Sequence, residues 1–250
     1  MVVKIKKHGI VESTEDIFTV VKEFASSNKK LLFRGQNTDK SLLPKIARYE
    51  IQFGIEMLEA IERQMLDRFK KESIPFLQPY VPKTGWDWLS VAQHQGLPTR
   101  LLDWSGNPLA ALWFAVSDKP PLASEHGVLW VLEVLPDDLK SPSIATDIFA
   151  LRRTYIFQPF HVDRRIAAQS GWFSVHKYAE KNEKFIPLEK NKNFKSRLKK
   201  YVIPAGSFEI IRKELRLLGI TQCTMFPDLP GLCADISSDL LDKLPPIDSI

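Results

Sequence analysis

The run Leu109-Ala110-Ala111-Leu112-Trp113-Phe114-Ala115-Val116 carries no polar side chain, so a helix over it has no face to give to water. Such a helix has to be buried. It opens at Asn107-Pro108, where proline's missing N–H costs nothing, and Ser105 or Asn107 can cap it. Ahead of it, Gln93 to Asp103 reads as a polar turn in which Gly96 permits positive φ and Pro98 fixes φ and removes a donor. A buried helix behind a loop carrying His94, Thr99, Arg100 and Asp103 is a rigid platform for a functional site. The same Arg100 and Asp103 equally suit an ion pair with each other or caps on neighbouring elements.

The chain has 250 residues, suited to one domain, and with 44% hydrophobic residues it can bury a sizeable core. Charged residues make up 26%, close to the globular average, which argues against wholesale disorder, and the net charge of +5 permits an anionic partner without demanding one. Cys223 and Cys233 are too few for a disulfide framework, and they read as small apolar filling in a reducing compartment. The N-terminus has basic residues but no apolar core behind them, and no segment is long and apolar enough to span a bilayer, so a cytoplasmic location is expected.

Along the chain, Ser13 or Thr14 with Glu15 and Asp16 starts a helix through Phe24. Leu31-Leu32-Phe33 reads as a buried strand ending at Arg34-Gly35-Gln36, a place where polar groups can be held rigidly facing a cleft. Pro44 turns the chain toward a long amphipathic helix from about Ile51 to Glu72, whose charges form a solvated face. A short helix from Trp86 to His94 puts Gln93 and His94 in its last turn. Gly127 to Leu135 and Tyr155 to Pro159 read as strands. A short helix places Arg165 and Gln169 on one face, and a strand with Phe173 and Val175 follows. Lys177 to Lys200 reads as a surface excursion, Tyr201 to Pro204 as a strand, Ser207 to Leu218 as a helix stopped by Gly219, and a short final helix runs through Ile236. No repeat or linker stands out. The expected architecture is a single α+β domain over residues 1–250, a mixed central sheet flanked by helices, with residues 1–28 as an N-terminal helical extension.

Phe33-Arg34-Gly35-Gln36, Leu43-Pro44 with Arg48, the Gln93 to Ala115 stretch, Arg165 with Gln169-Ser170-Gly171, and Phe226-Pro227-Asp228-Leu229 together resemble the FRG domain family, named for its Phe-Arg-Gly motif. The order of parts is also similar, more distantly, to ADP-ribosyltransferases of the Arg/Ser/Glu class. In that resemblance Arg34-Gly35 matches the first part, Thr99 to Asp103 with the following helix the second, and Arg165 to Val175 the third. The third part departs from the pattern because Gln169 stands where a carboxylate is expected, and Asp103 or Glu133 would have to supply the charge.

The resemblance implies NAD as cofactor and ADP-ribose transfer to a nucleic-acid or protein acceptor, as a toxin or phage-defence effector. It implies Arg34, His94, Thr99, Asp103 and Gln169 as catalytic residues. Arg34, Gly35, Gln36, Gln93, Gly96, Arg100, Trp104, Asn107 and Arg165 would contact the cofactor. No metal is expected, since no P-loop, HExxH or paired carboxylate cluster stands out. Two other classes stay open: a non-catalytic module binding a nucleotide or nucleic acid, and another phosphate-handling enzyme such as a nuclease.

Overall fold

The computed structural model describes residues 7–25, 29–49, 55–77, 81–118, 125–142, 147–160, 164–178 and 185–241. Its strands are β1 (Lys7–Ile10), β2 (Lys30–Gln36), β3 (Leu101–Ser105), β4 (His126–Val134), β5 (Tyr155–Phe157), β6 (Gly171–Val175) and β7 (Leu198–Pro204). They form one sheet in the order β1-β7-β4-β2-β3-β6-β5. β1 runs parallel to β7 and the other neighbours are antiparallel, so the α+β class and the mixed sheet are as expected.

The helices are α1 (Thr14–Lys22), α2 (Ile55–Glu72), α3 (Gly85–His94), α4 (Pro108–Val116), α5 (Arg164–Ala168), α6 (Phe208–Leu217), α7 (Gln222–Met225) and α8 (Leu229–Leu241). The apolar run is indeed the buried centre. Ala111, Leu112, Ala115 and Val116 of α4 pack with Ile17 and Val20 of α1, Phe208 and Ile211 of α6, and Phe33, Leu129 and Ile203 of the sheet. The opposite face carries Leu32, Leu102, Trp104 and Trp130 against Leu188 and Phe194. α2 and α3 pack through Leu66, Trp86 and Leu89 on Leu101, Phe173 and Val175.

One irregularity of the sheet positions everything that follows. β2 pairs with β4 along its full length, from Lys30 with Val134 to Gln36 with Val128, but with β3 only at Phe33 and Ser105. Beyond that pair β2 and β3 part. α4 lies directly on β2 there: a Cβ on Gly35 would stand 1.8 Å from the Ala111 carbonyl oxygen and 2.7 Å from the Ala115 nitrogen. Only glycine allows so close an approach.

Several expectations are corrected. The polar turn is shorter than its composition suggests, because Leu101 to Ser105 is a core strand whose Leu101, Leu102 and Trp104 are buried. Residues 7–25 form more than a helix, since β1 forms the sheet edge and Val11 is fully buried. The Lys177 to Lys200 segment puts Phe185, Leu188 and Phe194 into the core, three aromatic or aliphatic anchors that its charge content masks. The charged side of α2 is not wholly solvated, because Glu62 is buried. Cys223 is half-buried and Cys233 exposed, so neither is core filling. The final helix continues to Leu241. The expected ends at Ile51 and at Ser26 to Asn28 lie outside the described residues.

Candidate functional site

A cavity of about 440 Å³ opens where β2 and β3 part, between them, α4 and the end of α3. Arg34, near the end of β2, lines it beside Asp103 of β3. The Arg34 Nη1 donates to the Asp103 carbonyl oxygen at 2.7 Å and stands 3.7 Å from the Asp103 carboxylate Oδ2. The Arg34 side chain is 18% exposed and that of Asp103 is 57% exposed, so a fixed cation meets an accessible carboxylate. Burial pulls the Arg34 pKa below the ordinary arginine value, nearby Asp103 opposes that shift, and Arg48 adds to it. The guanidinium remains charged. Among the described residues its buried Nε has no hydrogen-bond partner.

Asp103 is held from α3. Thr99 Oγ1 donates to Gln93 Oε1 at 2.7 Å, and Gln93 Nε2 donates to Asp103 Oδ2 at 3.1 Å. Thr99 Oγ1 also accepts the Leu101 N–H at 3.0 Å, so the start of β3 fixes the relay. Below Arg34, Trp104 Nε1 donates to Ser174 Oγ at 3.1 Å, and His176 Nε2 lies 3.2 Å from the same oxygen. Burial, together with Arg34, lowers the His176 pKa to about 3, so the ring is neutral and its Nε2 can accept from Ser174.

Nine sequence-predicted residues line this cavity: Arg34, Gly35, Gln36, Gln93, His94, Asp103, Trp104, Arg165 and Gln169. Four do not. Thr99 is the buried relay just described. Arg100 is a core residue whose Nε donates to Glu62 Oε2 at 2.8 Å, with both side chains 1% exposed. Its guanidinium lies between Phe149 and Tyr178, 4.3 and 4.2 Å from the ring centres. Gly96, at φ +90, makes the turn after α3, and its carbonyl accepts from Lys45 Nζ at 2.8 Å. Asn107 caps α4, its Oδ1 accepting from the Leu109 N–H at 2.9 Å. Glu133, an alternative source of charge, pairs with Lys29 at 2.9 Å, at the end of β4 that faces Leu31 rather than Gln36.

Gln169 and Arg165 are engaged with the segment from Met225 to Asp228. Gln169 Nε2 donates to the Met225 carbonyl at 3.0 Å, and its backbone oxygen accepts from Ser105 Oγ at 2.7 Å. The next residue, Ser170, sits in the left-handed region at φ 48. Arg165 Nε donates to Asp228 Oδ2 at 3.0 Å, Nη2 bonds the same oxygen, and the guanidinium lies 5.3 Å from the Phe226 ring centre. The Gly231 N–H and Arg165 together hold the Asp228 carboxyl below the usual carboxylate range.

Other lining residues carried no site assignment in the sequence, among them Thr38, Lys40, Arg48, Phe114 and Phe226. Thr38 and Lys40 follow β2 directly, so the rule that singled out Arg34 at a strand end reaches them too. Phe114 is one of several apolar residues on α4, and nothing in an apolar run marks which side meets a cavity. It packs edge-on to Phe226, centroids 6.1 Å apart, and to Trp113 at 5.1 Å. One side of the cavity therefore carries the Phe114 and Phe226 rings and another the Arg34 guanidinium. Among the described residues no group of three His, Cys, Asp or Glu side chains is placed to hold a metal ion, and no helix is long and apolar enough to cross a membrane.

No curated protein and no solved structure matches the chain. A family model does match over residues 29–123, the segment that holds β2, α2, α3, β3 and α4 and with them the Arg34–Asp103 pair; the chain carries an FRG domain.

Proposed function

We propose that this cavity binds NAD and that the protein transfers its ADP-ribose to a macromolecular acceptor. The observation that carries the reading is Arg34 meeting an accessible Asp103 carboxylate in a cavity that also has an aromatic wall at Phe114 and Phe226. Its volume falls within the roughly 300–1,000 Å³ usual for small-molecule sites. The buried Arg34 Nε, which has no hydrogen-bond partner among the described residues, is a donor that a ligand oxygen would satisfy.

NAD supplies a ribose whose C1′–nitrogen bond can break, nicotinamide leaving with the electron pair while an acceptor oxygen or nitrogen bonds C1′ and gives up its proton. In this reading Arg34 holds the diphosphate, and Phe114 with Phe226 receives a flat ring. Asp103 stands against the positive charge that develops on the ribose, and Gln93 with Thr99 keeps its carboxylate aimed. His94, at the end of α3, orients the nicotinamide ribose. Gln169 and Arg165 shape the wall rather than contribute charge, because the Gln169 Nε2 donates to the Met225 carbonyl and the Arg165 guanidinium is paired with Asp228.

Incubation with labelled NAD and a cell lysate tests this. Label transfer and free nicotinamide are expected from the wild type. Asp103→Asn should lower turnover by about 10²-fold or more with NAD still bound. Arg34→Ala should lose binding and turnover together. A folded protein that does not bind NAD overturns the proposal. One observation favours a second reading: the amide of Gln169 where a transferase would place a carboxylate supports a nucleotide-binding module, for which NAD would bind and stay intact.

A further inference from the structure

Past the end of β2, the chain carries three cavity-lining residues that the reading above leaves unused, namely Thr38, Lys40 and Arg48. Lys40 and Arg48 are exposed at the cavity mouth, and neither makes an ion pair among the described residues. The acid between Thr38 and Lys40 does not neutralise them. Asp39 is drawn to the neighbouring strands, where its Oδ2 bonds Lys200 Nζ and lies 3.5 Å from His126 Nε2. Thr38 is 6% exposed, and its buried Oγ1 has no hydrogen-bond partner among the described residues. An orphaned hydroxyl and two cations without an ion pair among the described residues line the same cavity, which makes an incomplete polar site.

We infer that Thr38, Lys40 and Arg48 form a second anion subsite, which takes a phosphate group beyond the diphosphate given to Arg34. The inference rests on the nucleotide reading for its placement but not for its chemistry, since the subsite would hold a phosphate of either of two origins. One is a phosphate on the ribose of the nucleotide itself, as in NADP. The other is the backbone of a nucleic-acid strand reaching the cavity mouth as acceptor. In both cases Lys40 and Arg48 supply charge and Thr38 Oγ1 donates to a phosphate oxygen. Burial depresses the Arg34 pKa and the Arg48 charge adds to that, so a bound anion would offset the repulsion between the two cations.

Calorimetric titration of NAD, NADP and a short single-stranded oligonucleotide into the wild type and a Lys40→Ala/Arg48→Ala variant separates these cases. Both side chains are exposed, so the variant is expected to keep the wild-type circular dichroism and melting temperature. Loss of about tenfold or more in affinity for NADP, with less than a twofold change for NAD, places the phosphate on the nucleotide. The same loss for the oligonucleotide, with a reduced dependence on salt, places it on a strand. Thr38→Val should reproduce part of either loss. If NAD fails to bind while the oligonucleotide loss is seen, the subsite stands and the NAD reading falls. The inference is overturned if NADP and the oligonucleotide bind the double variant as they bind the wild type, or if the wild type binds neither.

Discussion

Arg100 lies three residues before Asp103 in sequence and Arg34 lies beside it in space, and the fold sends the two arginines to opposite fates. Arg100 and Asp103 are an odd number of residues apart on a strand path, so they point to opposite sides, and Arg100 goes inward to Glu62. Read as a turn, the segment hides that alternation and puts Arg100 with the site, while helical period alone puts Glu62 on a solvated face. Glu62 accepts from the Arg100 backbone N–H at 2.7 Å, from its Nε, and from the Tyr178 hydroxyl at 2.9 Å. Glu62→Ala leaves a buried charge alone and should cost about 3–5 kcal/mol by urea denaturation. Loss of under 1 kcal/mol would mean that the pair is open to water. His176 makes a second residue-scale test. Its folded pKa of about 3 lies below the ordinary 6.5, so as pH falls the unfolded chain takes the proton first. Its contribution to stability is complete above about pH 6.5 and is lost toward pH 3, at up to about 1.4 kcal/mol per pH unit. In His176→Gln that part of the pH dependence should vanish.

At the level of elements, α4 was legible because an apolar run with a capping residue and a proline leaves few alternatives. What sequence alone could not give was its distance from β2. That distance is set by Gly35, whose missing side chain lets the helix backbone come against the strand. Gly35→Ala forces the two apart. Overpacking of this kind costs about 1–3 kcal/mol, and the same displacement should abolish ligand binding because α4 is a cavity wall. Stability and binding should therefore fall together. Asn107 offers the contrast. The residue is legible as a cap, the resemblance implies a cofactor contact, and the geometry shows the cap. Asn107→Ala should cost about 1 kcal/mol and leave nucleotide affinity within twofold. A selective loss of affinity would return Asn107 to the site.

For the molecule as a whole, the sheet gathers distant segments around one opening. β2 brings Arg34, β3 brings Asp103, and the Phe226 wall arrives from α7 and the turn after it. The FRG match ends at residue 123, so part of the cavity comes from chain beyond it. At the other end, β1 and α1 are built into the same sheet and core through Val11, Ile17 and Val20. The segment looked separable because only its helical period was readable, and a four-residue parallel edge strand leaves little trace in sequence. Deleting residues 1–28 should leave an aggregating or unfolded protein, whereas a truncated chain with the wild-type melting temperature would make the segment a true extension.

The most direct test of the central claim is a crystal structure of the protein grown with NAD. The expected result is a dinucleotide in the cavity between β2, β3 and α4, its diphosphate on Arg34 and its nicotinamide ribose beside Asp103. A dinucleotide bound elsewhere, with Arg34 and Asp103 touching only each other and water, would contradict it.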